Sequence, residues 1–234
     1  MLILAFLAAA IIVAVIYVKA AGAVMWKGVL MFAAIFVALN LVYILFVAIM
    51  SLFVSNTKPI VKQNPLCRSA CVGVTGLLLG YCWVRTHITG LDKLPDAGRF
   101  VFISNHRSGF DPLIVLNRLK KYDIAFISKP SNMALPFIGR IAHGAGCLPI
   151  DRENDRNALV SILQAADYIK RDVCSIGIYP EGTRSRDGVL LPFHAGSFKI
   201  AQKANVPLAV ACIRGSENIT KNALRRVTDV YLDI

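Results

Sequence analysis

The segment NHRSGFDP holds the residues best placed to do chemistry: His106 and Asp111 stand at H-x4-D spacing just beyond the strand-like run FVFIS. Sites in open α/β sheets form at such strand ends. Acyl transfer to an alcohol needs a base that is neutral near pH 7, takes the hydroxyl proton during attack and carries the resulting charge briefly. An imidazole meets that description, and a carboxylate bonded to its second nitrogen selects the tautomer and steadies the imidazolium. Asp111 can supply that carboxylate. Pro112 follows it and suits the first turn of a helix, so the turn SGF brings the helix start back beside His106. Asp before Pro is also a frequent helix cap, a structural role that Asp111 can fill at the same time.

A second segment, YPEGTRS from Tyr179 to Ser185, follows the strand-like run SIGIY and offers an anion cradle. Gly182 permits close backbone approach, Thr183 supplies a hydroxyl, and the planar fork of Arg184 matches two phosphate oxygens. A P-loop is excluded, because no lysine follows Gly182 at the required place. Taken alone, EGTR also reads as an ordinary turn. A third stretch, FISKPSNMALPFIGR leading into GAGCLPIDRE, sets Lys129, Arg140 and Arg152 among apolar residues, as a lipid phosphate at a membrane surface would require. Singly, each reads as a solvated charge. The six cysteines lack paired CxxC spacing and read as buried thiols, with neither a disulfide framework nor a metal site.

NHRSGFD, the segment from Lys129 to Gly139, IDR and YPEGTRS occur in the order found in the 1-acylglycerol-3-phosphate O-acyltransferase family, also called the lysophosphatidic acid acyltransferase family, which the chain resembles from Arg85 to its end. The resemblance implies that His106 is the catalytic base and Asp111 its orienting carboxylate. It implies that Glu181, Gly182, Thr183 and Arg184 bind the acceptor's phosphate, with Lys129 and Arg152 in a segment that also serves acceptor binding. The implied activity moves a fatty acyl group from acyl-CoA or acyl carrier protein to the sn-2 hydroxyl of lysophosphatidic acid, giving phosphatidic acid, with no metal ion or bound cofactor. Two departures bear on substrate choice: Val210 replaces a proline of the family's last motif, within NVPLAVACI, and Pro130-Ser131 replace polar or acidic residues after Lys129. Other acceptors, such as another lysophospholipid, a lysocardiolipin or an ornithine lipid precursor, fit the same motifs. So do a phospholipid hydrolase and a non-catalytic membrane lipid-binding protein.

These motifs need a scaffold, and its pattern is α/β. FVFIS, IAFIS and SIGIY are short runs apolar on both faces, alternating with the helical PLIVLNRLKK and NALVSILQAADYIKR. Such alternation predicts a mostly parallel sheet covered by helices. At 234 residues the chain has room for one such domain plus membrane segments, and 56% hydrophobic against 17% charged residues places part of it in lipid. Met1 to Val18 and Gly28 to Val54 carry no charge. As helices they reach roughly 27 and 40 Å, which predicts an N-terminal transmembrane hairpin over residues 1–56. A cleaved signal is disfavoured, because MLILAFL lacks a positive start. The uncharged run SACVGVTGLLLGYCWV predicts an interfacial or membrane-embedded linker over 57–85, or alternatively a core helix, ahead of a catalytic domain over 86–234.

The net charge of +12 calls for a negative partner, and with no nucleic-acid-binding motif in view the partner is membrane lipid rather than nucleic acid. Lys58, Lys62, Arg68 and Arg85 after the second span place the rest of the chain on the cytoplasmic side of a membrane, the bacterial inner membrane fitting best.

Overall fold

The structure is a computed structural model that describes residues 2–22, 24–56, 58–151, 154–185 and 187–234. It divides into two compact units, Met1–Phe53 and Val54–Ile234.

The first unit is a pair of helices, α1 (Leu2–Ala21) and α2 (Met25–Leu52), both long and apolar enough to cross a membrane. Their apolar side chains are exposed all round, as at Leu4, Ile12, Leu41 and Leu45. A helix without a polar face has no preferred side toward water. Two polar side chains of α2 bond to their own helix: Asn40 Nδ2 donates to the Phe36 carbonyl at 2.7 Å and Ser51 Oγ to that of Ala48 at 2.6 Å. Gly28 lets the two helices meet, since a Cβ there would lie 2.5 Å from Val18 Cγ2.

The second unit begins with α3 (Pro65–Tyr81), started by Asn64, whose side chain accepts the N–H groups of Leu66 and Cys67. Then follow β1 (Val84–Thr89), β2 (Val101–Ser104), α4 (Asp111–Arg118), β3 (Ile124–Ser128), α5 (Pro130–Met133), α6 (Ile138–Gly144), β4 (Leu148–Pro149) and α7 (Asp155–Lys170). The chain continues through β5 (Ser175–Ile178), α8 (Lys199–Ala204), β6 (Leu208–Arg214), α9 (Ile219–Asn222) and β7 (Thr228–Asp233). The sheet runs β1-β7-β6-β2-β5-β3-β4, and among the described residues every pairing is parallel except that of β6 with β7. The expected mostly parallel, helix-covered sheet is therefore what forms. Its central strands β2 and β5 are buried at every position, which is why they read as unbroken apolar runs.

Two expectations change. The segment over 57–85 is not a separate linker: α3 packs on α4 and α6 within the second unit, burying Cys67, Ala70, Leu77 and Leu79. Gly76 gives a close approach, a Cβ there falling 3.0 Å from Asn117 Nδ2. Arg68 of the same helix is buried as well. Its guanidinium donates to the Ile124 carbonyl at 2.8 Å and faces Asp123 at 3.7 Å, tying α3 to β3. The thiols are not all buried either, because β6 alternates between its two faces and leaves Cys212 exposed, while Cys71 and Cys82 are half-buried.

Gly177 of β5 sits in register beside Phe102 and Phe126. The Phe126 ring occupies the space a side chain would need, its atoms lying 2.5 to 2.8 Å from a Cβ built there. Gly177→Ala is therefore expected to displace that ring and destabilise the unit by about 1–3 kcal/mol, the usual range for overpacking. Thermal unfolding of the detergent-solubilised protein checks this, and an unchanged Tm would show that the ring yields without cost.

Candidate active site

In a parallel sheet, neighbouring strands end on the same edge, so the adjacency of β2 and β5 brings the segments after them together. The motif after β2 starts at Asn105, whose side chain continues the strand pairing: Oδ1 accepts the Ile213 N–H at 2.7 Å and Nδ2 donates to the Ile213 carbonyl at 2.9 Å. The next residue is His106, held on both sides of its backbone by the loop after β5. Its N–H donates to Glu181 Oε1 at 2.6 Å, and its carbonyl accepts the Ser185 N–H at 2.9 Å. The two motifs are thus one hydrogen-bonded structure.

Asp111 is fully buried at the first position of α4. Its Oδ2 accepts the backbone N–H groups of Arg107 at 2.7 Å and Ser108 at 2.8 Å, and lies 2.9 Å from His106 Nδ1. An oxygen already accepting two N–H bonds takes a third donor, so the ring proton belongs on Nδ1 and the lone pair on Nε2. One oxygen therefore holds both the turn and the imidazole. The structural role differs in detail: the carboxylate receives N–H groups of the turn before the helix rather than capping α4 itself. Ser108 is buried, and its Oγ accepts the Phe110 N–H at 3.2 Å.

The imidazole lies flat on Tyr179, with ring centroids 4.2 Å apart and planes 15° apart, and Tyr179 lies in turn on Phe126 at 5.4 Å and 10°. Burial, with the negative Asp111 adding to it, pushes the Tyr179 phenol well above its ordinary value, so it stays neutral. Sequence reasoning passed over this layer. The one signal for it was Gly177 within an otherwise apolar strand, a mark of close approach by a neighbour.

The other expected residues divide. Glu181 is only 3% exposed, and both carboxylate oxygens are engaged, Oε1 by His106 N–H and Oε2 by Leu191 N–H at 3.0 Å. It braces the loops and presents no free donor to a phosphate. Gly182 adopts φ 70°, donates its N–H to the Tyr179 carbonyl at 3.1 Å, and borders an apolar cavity. Thr183 and Arg184 are exposed. The Arg184 guanidinium lies over the SGF turn, with Nη1 3.8 Å from the position of a Cβ on Gly109. Lys129 is exposed where β3 leaves the same sheet edge, and Arg140 is half-buried on α6. Arg152 lies outside the described residues.

The cavity, of about 360 Å³, runs between the sheet and α7; Ile127, Ile150, Ile162 and Ile178 line most of it, with His194, Ser197 and Lys199 as its polar members. Burial pushes the thiols of Cys71, Cys147 and Cys174 up, that of Cys174 to about 12, so these sulfurs stay protonated and unreactive at neutral pH.

Replacing Glu181 by Gln would set an amide N–H₂ against one of two buried backbone donors. A lost bond to a charged acceptor plus one stranded donor amounts to about 2–3 kcal/mol. Denaturant unfolding should show that loss, and stability equal to the parent would mean the carboxylate is not the brace.

The family model described as Acyltransferase matches residues 85–214. A chloroplastic 1-acyl-sn-glycerol-3-phosphate acyltransferase of Brassica napus is 34% identical over 140 residues, 59% of this chain and 40% of that protein. A 1-acyl-sn-glycerol-3-phosphate acyltransferase of Escherichia coli is 34% identical over 121 residues, 52% of this chain and 49% of that one. The chain spans about half the length, or less, of these curated relatives. The crystal structure of the 1-acyl-sn-glycerophosphate (LPA) acyltransferase PlsC from Thermotoga maritima shares the fold, with a TM-score of 0.57 at 20% identity over 98% of this chain and 82% of that one. With the matched region running from β1 through β6 and enclosing both motifs, the chain belongs to the acyltransferase family.

Proposed function

We propose that the protein transfers a fatty acyl group from an acyl thioester, acyl-CoA or acyl carrier protein, to the sn-2 hydroxyl of lysophosphatidic acid, giving phosphatidic acid. The observation that carries this reading is the His106–Asp111 pair: Nδ1 is bonded to a buried carboxylate, which leaves Nε2 as the proton acceptor. The acceptor hydroxyl attacks the thioester carbonyl as Nε2 takes its proton. The tetrahedral adduct then expels the thiolate, which receives that proton from the imidazolium, and the ester is released. No serine intermediate enters, and the reading calls for no metal ion or bound cofactor.

Phosphate recognition falls to Arg184 with Thr183 and the Gly182 turn and to Lys129 at the same sheet edge, with Arg152 as the further basic group that the family resemblance implies, while Glu181 acts by holding the loops. The apolar cavity beside Tyr179 and Gly182 is of a size for a ligand and of a chemistry for an acyl chain. The names of the curated relatives support the acceptor. The helices α1 and α2 would anchor the protein in the membrane, with the exposed Lys58 and Lys62 after them favouring a catalytic unit on the cytoplasmic face.

His106→Ala should lower acyl transfer by at least a hundredfold, and Asp111→Asn by a comparable factor through loss of the tautomer, with membrane insertion unchanged. The measurement is diacyl product from lysophosphatidic acid with acyl-CoA and with acyl carrier protein in parallel. Normal turnover by His106→Ala would end the proposal, and free fatty acid as the product would make the protein a hydrolase instead. Arg184→Ala should raise the KM for lysophosphatidic acid about tenfold or more, the order of a charge-assisted phosphate contact. An unchanged KM would remove Arg184 from the acceptor site.

A further inference from the structure

We propose that Tyr179, backed by Phe126, is a positioning residue whose ring face stabilises the imidazolium that His106 becomes during the reaction. The inference rests on the reading of His106 as the base. Its ground is the stack itself: the imidazole and phenol rings are nearly parallel at 4.2 Å, and Phe126 lies parallel beneath at 5.4 Å. All three rings come from strands or strand ends joined in register, Phe126 beside Gly177 and Tyr179 two residues beyond it, so the stack is fixed by the sheet. Gly177 has no side chain, and Phe126 fills the space left free.

A neutral imidazole gains little electrostatically from an aromatic face, whereas a cation above that face is attracted by the ring quadrupole. The attraction therefore grows as the proton moves from the acceptor hydroxyl to Nε2. An interaction stronger in the transition state than in the ground state raises kcat and leaves substrate binding alone. The site suits it: Tyr179 is 6% exposed and the imidazole 14%, so little water weakens the field. The Tyr179 hydroxyl is buried with no hydrogen-bond partner among the described residues, so the contact to His106 is made by the ring.

The test replaces Tyr179 by Phe and then by phenylalanines carrying one to five ring fluorines, which keep the shape but progressively cancel the negative ring face. In the intact, detergent-solubilised chain, kcat should fall stepwise from Phe to pentafluoro-Phe by about tenfold, the order of a largely desolvated cation–π contact. KM for both substrates should hold steady and Tm should vary without that order. Tyr179→Leu should fall at least as far as the pentafluoro variant. A flat series would overturn the inference, as would a Phe variant already as slow as Leu, which would assign the effect to the hydroxyl. Wild type and His106→Ala run alongside. An inactive wild type or an active His106→Ala would overturn the base reading and this inference with it. With those two controls as expected, a flat series would overturn this inference alone.

Discussion

The site depends on one buried carboxylate oxygen. Asp111 Oδ2 gathers the Arg107 and Ser108 N–H groups and the His106 ring nitrogen within 2.9 Å. Buried anions are tolerated only when hydrogen bonds are supplied, and here the turn that carries His106 supplies them all to Oδ2, Oδ1 having no partner among the described residues. Oδ2 therefore closes the turn, selects the tautomer and faces the imidazolium when it forms. Removing it would disturb backbone and chemistry together, which explains why the four residues between His106 and Asp111 are enough to build the pair.

A second restraint holds that turn against the rest of the sheet. Parallel pairing of β2 with β5 and β6 brings three strand ends to one edge, and side chains there substitute for missing ladder bonds. Asn105 extends the pairing to β6, while Glu181 and Ser185 clasp the His106 backbone from the β5 side. His106 is positioned by the loop proposed to meet the acceptor's phosphate. A shift of that loop on substrate binding would thus be felt at the base, whereas Arg184 at its exposed side is free to engage a headgroup.

Much of this was legible in the sequence because it is local. The apolar runs that became β2, β3 and β5 are buried on both faces, and the spacing of His106 and Asp111 fits a turn into a proline-started helix. What was missed depends on partners far along the chain. β1, VRTHIT, lies outside the apolar runs because it buries little beyond Val84, and the expected boundary at residue 86 cut through it. The uncharged run of α3 looks the same whether lipid or protein covers it. Glu181 sits within a phosphate-type motif, and nothing nearby announces that its oxygens turn inward to two backbone donors. The layer of Tyr179 on Phe126 needs the strand register, which no single segment contains.

Proton transfer as proposed requires a bare Nε2 on His106, and nitrogen-15 NMR of the histidine-labelled, detergent-solubilised protein reads the position of the ring proton directly. The signal is identified among the four histidines by its loss in a His106 variant. In the neutral ring, the account predicts a proton on Nδ1 and a bare Nε2, with that preference lost once Asp111 is replaced. A neutral ring protonated on Nε2 while Asp111 is intact would leave no lone pair facing the substrate, and would contradict the assignment of the base.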